Sequence, residues 1–87
     1  MDFQTALTEL ENGKRLSRYS WHIGRFIFLV PGSTFKVNRA PLMGIFEEGT
    51  EIKYLPHIDV FYGNSTVGVW VPTNDDILGK DWYIEET

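Results

Sequence analysis

The stretch FLVPGSTFKVNRAPL, residues 28–42, decides how the fold is organised. An apolar, β-branched run ends at Pro31-Gly32, which is a turn signal, and a second strand-like run, FKVNR, follows. The simplest interpretation is a β-hairpin around the PGST turn, whose second arm ends at Pro41. A second interpretation is that this hairpin also presents Asn38 and Arg39 at the edge of a small-molecule pocket.

Two helices are predicted, one near each end of the chain. In DFQTALTELENG the apolar residues recur at the i, i+3, i+4, i+7 spacing of one helix face, Asp2 is a favourable N-cap and Gly13 a favourable stop. In VPTNDDILGKDW a short helix is expected to begin after Thr73, with Asp76 completing a capping-box variant, and to end at Gly79.

The rest of the chain is typical of strands. LSRYSW, RFIFLVP, FKVNR, EIKYLPHIDVFY, TVGVWV and DWYIEE are rich in aromatic and β-branched residues, with EEGT and GNST between them. Pro56 interrupts the longest run, so a bend, a bulge or a sheet edge is expected there. The sum is an α+β fold: a small antiparallel sheet with an N-terminal helix and a short C-terminal helix, in a single domain over residues 1–87.

Composition narrows the classes of function. The chain has 87 residues, no cysteine and a net charge of −4, from eight Lys and Arg against twelve Asp and Glu. The lack of cysteine removes disulfides, thiolate nucleophiles and cysteine zinc sites, and the acidic balance argues against a nucleic-acid partner. No window approaches the roughly 20 apolar residues of a membrane span. We expect a soluble, non-exported protein without a membrane partner, and a small anionic ligand is compatible with its few basic residues.

The chain has more aromatic residues than a small core can bury. They make up 15% of the chain, and alternation along residues 25–30 places Phe26, Phe28 and Val30 on one face and Arg25, Ile27 and Leu29 on the other. Both faces are therefore largely apolar. Either a helix covers one face and a partner subunit the other, which predicts a homo-oligomer, or some of the rings line a pocket.

The polar residues form no recognisable catalytic motif. His22 and His57 lack metal-ligand spacing, the serines lack a nucleophile-elbow pattern, and no phosphate-binding loop motif is present. No catalytic residue, metal site or cofactor is predicted, and a non-enzymatic protein is favoured. Two alternatives stay open: a small hydrolase of cyclic nucleotides that uses His57 with Asp59 or Asp75, and a protein-interaction module whose aromatic surface docks a host protein.

Four residues are candidate ligand contacts on local grounds. Trp21 lies in a predicted loop, where a large ring is often exposed for contact, and Asn74 follows a helix cap, where N–H groups attract anions. Asn38 and Arg39 lie at the end of a predicted strand. Each has an ordinary alternative, which is core packing for Trp21, local backbone hydrogen bonds for the asparagines and a surface ion pair for Arg39.

Three segments, FLVPGSTFKVNRAPL, EGTEIKYLPHIDV and WVPTNDDILGKDW, together resemble the second type of Thoeris anti-defence proteins, a family of short phage and bacterial proteins. The match runs from the N-terminal helix to the final DW pair. The VPGS turn, the VNRAPL segment, the PHID segment and the DW pair occur in the order typical of the family. The similarity is close enough to suggest a member from a Bacillus phage.

The resemblance implies a sponge. Proteins of this family bind glycocyclic ADP-ribose, the cyclic ADP-ribose isomer that bacterial TIR-domain proteins make on sensing a phage, and hold it unmodified. The defence effector in the host cytoplasm is then never activated. Family members form homotetramers with pockets between subunits. Some also bind cyclic dinucleotides, and the resemblance leaves open whether this chain does.

The resemblance also implies roles for individual residues. We expect Trp21 to stack on adenine, Asn74 to read polar groups and Arg39 to pair with the pyrophosphate. The further expected contacts are Phe28, Asn38, Tyr54 and His57.

Overall fold

The computed structural model describes residues 1–86. Along these residues run two α-helices, seven β-strands and one short 3₁₀ turn. In chain order they are α1 (Phe3–Glu11), β1 (Leu16–Arg18), β2 (Phe26–Val30), β3 (Ser33–Lys36), the 3₁₀ turn (Leu42–Gly44), β4 (Glu51–Tyr54), β5 (His57–Phe61), β6 (Val67–Val69), α2 (Asn74–Leu78) and β7 (Trp82–Ile84).

Five strands form the main sheet, in the order β6-β5-β2-β1-β7, and each neighbouring pair is antiparallel. Helix α1 packs on one face of this sheet, against β1, β2 and β7. Burial of each large apolar side chain between helix and sheet contributes about 1.5–3 kcal/mol to stability. The buried core consists of Ala6, Leu10, Leu16, Ile27, Val60, Trp70 and Trp82. The α+β prediction is confirmed.

Both predicted helices form, and their caps explain where they begin. The Asp2 carboxylate accepts a hydrogen bond from the Thr5 N–H at 2.9 Å, which satisfies a donor of the first turn and holds the pKa of Asp2 below its ordinary value. Gly13, at φ +85°, follows the end of α1. At α2, Thr73 Oγ1 accepts from the Asp76 N–H and the Asp76 carboxylate accepts from the Thr73 N–H, which completes the capping box.

The strands on either side of Pro31-Gly32 do not pair with each other, so the predicted PGST hairpin is wrong. Strand β2 pairs with β1 and β5, whereas β3 pairs with β4 in a separate two-stranded sheet. In both the β2–β5 and the β3–β4 pairing, the two residue numbers of every pair sum to 87. The register therefore stays constant from one sheet to the other, and the four strands form one long two-stranded antiparallel ribbon. Pro31-Gly32 interrupts one arm of this ribbon, and Pro56 interrupts the other arm as expected.

The two arms of the ribbon approach each other closely at this interruption. A Cβ atom on Gly32 would lie 2.6 Å from the Tyr54 carbonyl oxygen, so the two arms touch backbone to backbone. The chain reverses only over residues 37–50, where the Val37 N–H donates to the Thr50 carbonyl and the Gly49 N–H donates to the Val37 carbonyl. A Pro-Gly pair marks a break in a strand, but it does not say which strands will pair. We call residues 33–54 the distal hairpin.

The main sheet has one face that neither helix covers. Ile27 faces α1 and is fully buried, and alternation turns Phe26 and Phe28 to the opposite face, where both are half-buried. Beside them in register lie Phe61 and Asp59 of β5. Helices α1 and α2 contact each other on the Ile27 side. The predicted helix cover on one face is confirmed, and we call the other the open face.

Candidate functional site

An open groove runs along the distal hairpin. Its volume is about 900 Å³, near the upper end of the range of small-molecule sites. It is lined by Ser33, Phe35, Lys36, Asn38, Arg39, Ala40, Pro41, Leu42 and Tyr54. Three of the predicted ligand contacts, Asn38, Arg39 and Tyr54, therefore share one groove.

Backbone hydrogen bonds fix the turn that carries Asn38 and Arg39. On one side of it, Val37 is fully buried and its N–H donates to the Thr50 carbonyl at 2.9 Å. On the other side, the Arg39 carbonyl accepts from the Met43 N–H at 3.0 Å as the chain enters the 3₁₀ turn. Both Asn38 and Arg39 are exposed. The groove thus presents an amide and a guanidinium from a backbone that is held at both ends.

The groove combines cations with aromatic rings. Phe35 and Tyr54 meet edge to face with ring centroids 5.1 Å apart, and Lys36 adds a second cation to Arg39. Sequence reasoning missed Phe35 and Lys36, although alternation places Phe35 on the same face as Ser33, the register partner of Tyr54. Two cations beside aromatic walls suit a phosphorylated ligand that contains a ring system.

Trp21 lies away from this groove, in the loop between β1 and β2. Its half-buried ring packs edge to face against Trp82, with centroids 5.1 Å apart, and the guanidinium carbon of Arg25 lies 4.5 Å from its centroid. Trp21 therefore contributes to the core, and Arg25 covers indole surface that a stacked base would need. Stacking of adenine on Trp21 remains a prediction, and it requires the uncovered part of the ring or a movement of Arg25.

Asn74 begins α2, the helix that Trp82 links to the Trp21 loop. The Trp82 Nε1–H donates to the Asp76 carbonyl of α2 at 2.9 Å, while the Trp82 ring contacts Trp21. Asn74 is exposed at the start of α2, and its side chain makes no hydrogen bond within residues 1–86. Its amide is therefore available to a ligand, and its role as a ligand contact stays a prediction.

A charged cluster fastens α2 to the main sheet. The buried Arg18 guanidinium donates to Asp75, Asp76 and Asp81 at 3.0, 2.9 and 2.8 Å. Burial alone would lower the pKa of Arg18 and raise that of Asp76, but these hydrogen bonds, with one from the Thr73 N–H to Asp76, reverse both shifts. The bond from Arg18 also lowers the pKa of Asp81 to about 2. The carboxylates of α2 therefore have structural partners.

Phe28 and His57 lie on the open face. The Phe28 ring lies 6.0 Å from that of Phe26, and Phe28 pairs in register with Asp59. His57 is exposed, with its Nε2 3.3 Å from Asp59 Oδ1. His57 and Asp59 thus meet, whereas Asp75 contacts Arg18 on the helix side of the sheet.

The seven predicted contacts occupy three places. Asn38, Arg39 and Tyr54 share the groove, Trp21 contacts Trp82 while Asn74 begins α2, and Phe28 and His57 lie on the open face. Within residues 1–86, no group of three His, Cys, Asp or Glu side chains is arranged to hold a metal ion. Neither helix of this part of the chain has the length and apolar character needed to cross a membrane.

These features define a small α+β protein with an uncovered sheet face and a cationic, aromatic-lined groove. Its sequence matches the Tad2-like family model, described as the Thoeris anti-defense 2-like domain, over residues 1–85. The chain belongs to this Thoeris anti-defence family, so the family resemblance of its motifs is confirmed. No curated protein matches the chain.

Proposed function

We propose that this protein binds glycocyclic ADP-ribose, the cyclic ADP-ribose isomer made by Thoeris TIR proteins, and sequesters it uncleaved in the cytoplasm of the phage-infected host. The defence effector then receives no signal. Family membership supports the anti-defence role. The observation that carries the ligand assignment is the groove, in which Lys36 and Arg39 adjoin the rings of Phe35 and Tyr54.

The chemistry of the groove matches that of the ligand. A pyrophosphate offers several anionic oxygens, and a guanidinium such as that of Arg39 binds two of them at once, while Lys36 supplies a compact charge. Aromatic rings pack against ribose and base. Asn38 supplies both donor and acceptor atoms for the polar edge of a base. In a chain of net charge −4, two cations in one groove give an anion a local preference for that groove.

We infer that the complete site forms between copies of the chain. Neither Trp21 nor Asn74 lines the groove, and the molecule is 46 Å long. A second copy is the simplest way to bring these two residues to a ligand held at Arg39. The open face, with half-buried Phe26 and Phe28, offers apolar surface for such a contact. A homotetramer, as the family resemblance implies, would repeat this contact.

Sequestration without catalysis requires tight binding. A nanomolar dissociation constant corresponds to about −12 kcal/mol. Stacking contributes roughly 1–3 kcal/mol per base, and charge-assisted hydrogen bonds to the pyrophosphate add to it. Because each captured molecule occupies one site, the amount of protein sets how much signal is removed.

The test is isothermal titration of the purified protein with glycocyclic ADP-ribose, followed by heat denaturation and mass spectrometry of the released ligand. We expect tight binding and recovery of the ligand with unchanged mass and retention time. Absence of a binding signal would refute the ligand assignment. Competition with cyclic dinucleotides in the same titration shows whether they share the groove.

One observation favours a second candidate function, hydrolysis of a cyclic nucleotide: His57 and Asp59 meet on the open face. This candidate predicts a cleaved product after incubation, and loss of that product in His57→Gln. The third possibility, a protein-interaction module, predicts a stoichiometric host partner and no effect of any nucleotide on its capture.

A further inference from the structure

Arg25 holds an unusual position among the cations of the chain. It precedes β2, is half-buried, and its guanidinium carbon lies 4.5 Å from the Trp21 ring centroid and 5.4 Å from that of Tyr62. Both contacts are cation–π interactions, which hold the guanidinium against apolar surface. The side chain is therefore withdrawn from water on part of its surface.

The guanidinium of Arg25 has no hydrogen-bond acceptor in the part of the chain that the structure describes. Its Nε is buried and makes no hydrogen bond within residues 1–86, and no carboxylate of this part of the chain lies within ion-pair distance. Arg18, the other arginine withdrawn into this side of the sheet, contacts three carboxylates. A buried donor without an acceptor is unfavourable. Arg25 thus lacks an anionic partner of the kind that Arg18 has.

The backbone around Arg25 is fixed, so the side chain is what can respond. The Arg25 carbonyl accepts from Ser17 Oγ at 2.6 Å, and its N–H donates to the His22 carbonyl. Gly24 and Gly63, both at positive φ, touch so closely that a Cβ on Gly63 would lie 3.4 Å from the Gly24 carbonyl carbon. This contact joins the Trp21 loop to the Tyr62 turn.

We propose that Arg25 binds a phosphate group of the sequestered nucleotide and, by turning toward it, uncovers the indole of Trp21 for a base. The proposal rests on the proposed function and adds a residue to its site. A phosphate oxygen supplies the acceptor that the guanidinium lacks, in the geometry that a planar fork prefers. The base then replaces the guanidinium on the ring, so the phosphate contact and the stacking contact form together.

Nuclear magnetic resonance of the ¹⁵N-labelled protein tests this directly. The Nε–Hε signal of Arg25 is assigned by its loss in Arg25→Lys, and the indole signal of Trp21 by its loss in Trp21→Phe. On titration with glycocyclic ADP-ribose, both signals should move in parallel with the calorimetric saturation. Calorimetric binding with both signals unmoved would overturn the role of Arg25 and leave the proposed function standing.

A second titration separates the two proposals if glycocyclic ADP-ribose does not bind. The probe is inorganic pyrophosphate, which carries the anion without the base. A shift of the Arg25 Nε–Hε signal that is absent for Arg18, whose guanidinium already contacts three carboxylates, supports a phosphate site at Arg25 even then. No shift at Arg25 in either titration overturns it.

Substitutions of Arg25 measure how much this residue contributes to the binding of glycocyclic ADP-ribose. Arg25→Gln should weaken the binding of glycocyclic ADP-ribose about 10- to 100-fold, the effect of losing a charge-assisted pair. Arg25→Lys should bind with intermediate affinity, and Lys14→Gln, which removes an exposed cation, should bind as the wild type does. Unchanged affinity in Arg25→Gln, with a wild-type melting curve, would contradict the proposal.

Discussion

Pro31 and Pro56 occupy opposite positions in the register of the ribbon that joins the two sheets. Neither residue has a backbone N–H to offer to a neighbouring strand. The main sheet ends on one side of this pair and the distal hairpin begins on the other. The joint between them therefore sets where the groove lies relative to the open face.

The joint should not tolerate a side chain at Gly32. In Gly32→Ala the new Cβ would lie 2.6 Å from the Tyr54 carbonyl oxygen, so we expect a loss of about 1–3 kcal/mol in unfolding free energy. Ligand affinity should fall as the groove shifts. Urea denaturation and calorimetry measure both effects. Gly44→Ala is the matched control, because nothing lies within 4 Å of its Cβ, and equal losses in the two variants would contradict the steric account.

Removal of the Arg39 guanidinium from the groove should weaken ligand binding without affecting the fold. Arg39 is exposed at the groove, so Arg39→Gln should reduce affinity for glycocyclic ADP-ribose by about 1.5–3 kcal/mol, the range for hydrogen bonds to charged groups. Calorimetry gives the affinity and thermal melting the stability. Lys53→Gln serves as control, since Lys53 is exposed on β4 outside the groove lining. A similar loss in both variants would indicate only a general effect of charge.

A charge on the open face should dissociate the proposed homo-oligomer. Phe28→Asp places a carboxylate opposite Asp59 in register, and like charges in that position repel. We expect the protein to run as a monomer at micromolar concentration in light scattering coupled to size exclusion, with its helical circular dichroism kept. Gln4→Asp, on the exposed side of α1, should leave the assembly intact. An unchanged mass for Phe28→Asp would exclude the open face as the contact.

Two neighbouring substitutions should separate helix capping from ligand contact. Thr73→Ala removes the cap of α2 and should lower stability by about 1 kcal/mol. Asn74→Ala removes a side chain without a hydrogen bond in residues 1–86, so stability should hold while ligand affinity falls. Denaturation and calorimetry on both variants decide the matter. If Asn74→Ala changes neither quantity, Asn74 is not a contact.

Acid should weaken the contact between Arg18 and Asp81. The Asp81 carboxylate accepts from Arg18 at 2.8 Å, and its pKa is lowered to about 2. A lowered pKa in the folded state means that the stabilisation is present above the ordinary pKa of about 4 and is lost as pH falls toward 2.

Asp81→Asn tests this dependence. At pH 7 it should cost about 1–3 kcal/mol, because the Arg18 guanidinium loses a charged acceptor. In urea denaturation across pH, the gap to the wild type should narrow below pH 4. Glu48→Gln, at an exposed position in the loop before β4, should show no such gap at any pH. A gap that stays constant down to pH 2 would contradict the ionic account.

Much of the fold could be predicted because its signals are local. The caps at Asp2 and Thr73 depend on residues within one helical turn, and the alternation of Phe26 and Ile27 depends on one strand. Strand pairing is not local. Pro31-Gly32 was predicted to be a chain reversal. The chain instead continues past it into β3, and β3 pairs with β4, whose Tyr54 lies more than twenty residues away in sequence.

Of the residues that line the groove, Asn38 and Arg39 were predicted on local grounds and Tyr54 only through the family resemblance. Asn38 and Arg39 are adjacent, and the groove contains both. Lys36 and Phe35 were missed because a strand residue looks the same whether it borders a groove or solvent. Arg25 was missed because its lack of an acceptor is a property of its three-dimensional neighbours, Trp21 and Tyr62, and no motif encodes it.

The separate pairing of β3 with β4 has a consequence for local opening. These strands contact each other and no other helix or strand of residues 1–86, and an isolated two-stranded hairpin is marginally stable in water. The backbone amides of the distal hairpin should therefore exchange their hydrogens through local fluctuations, whereas those of β2 and β5 should exchange only through global unfolding. A ligand that fills the groove slows the first process by an amount that reports its binding free energy. The groove thus lies on the part of the chain that we expect to open most easily and to gain most order when a ligand binds.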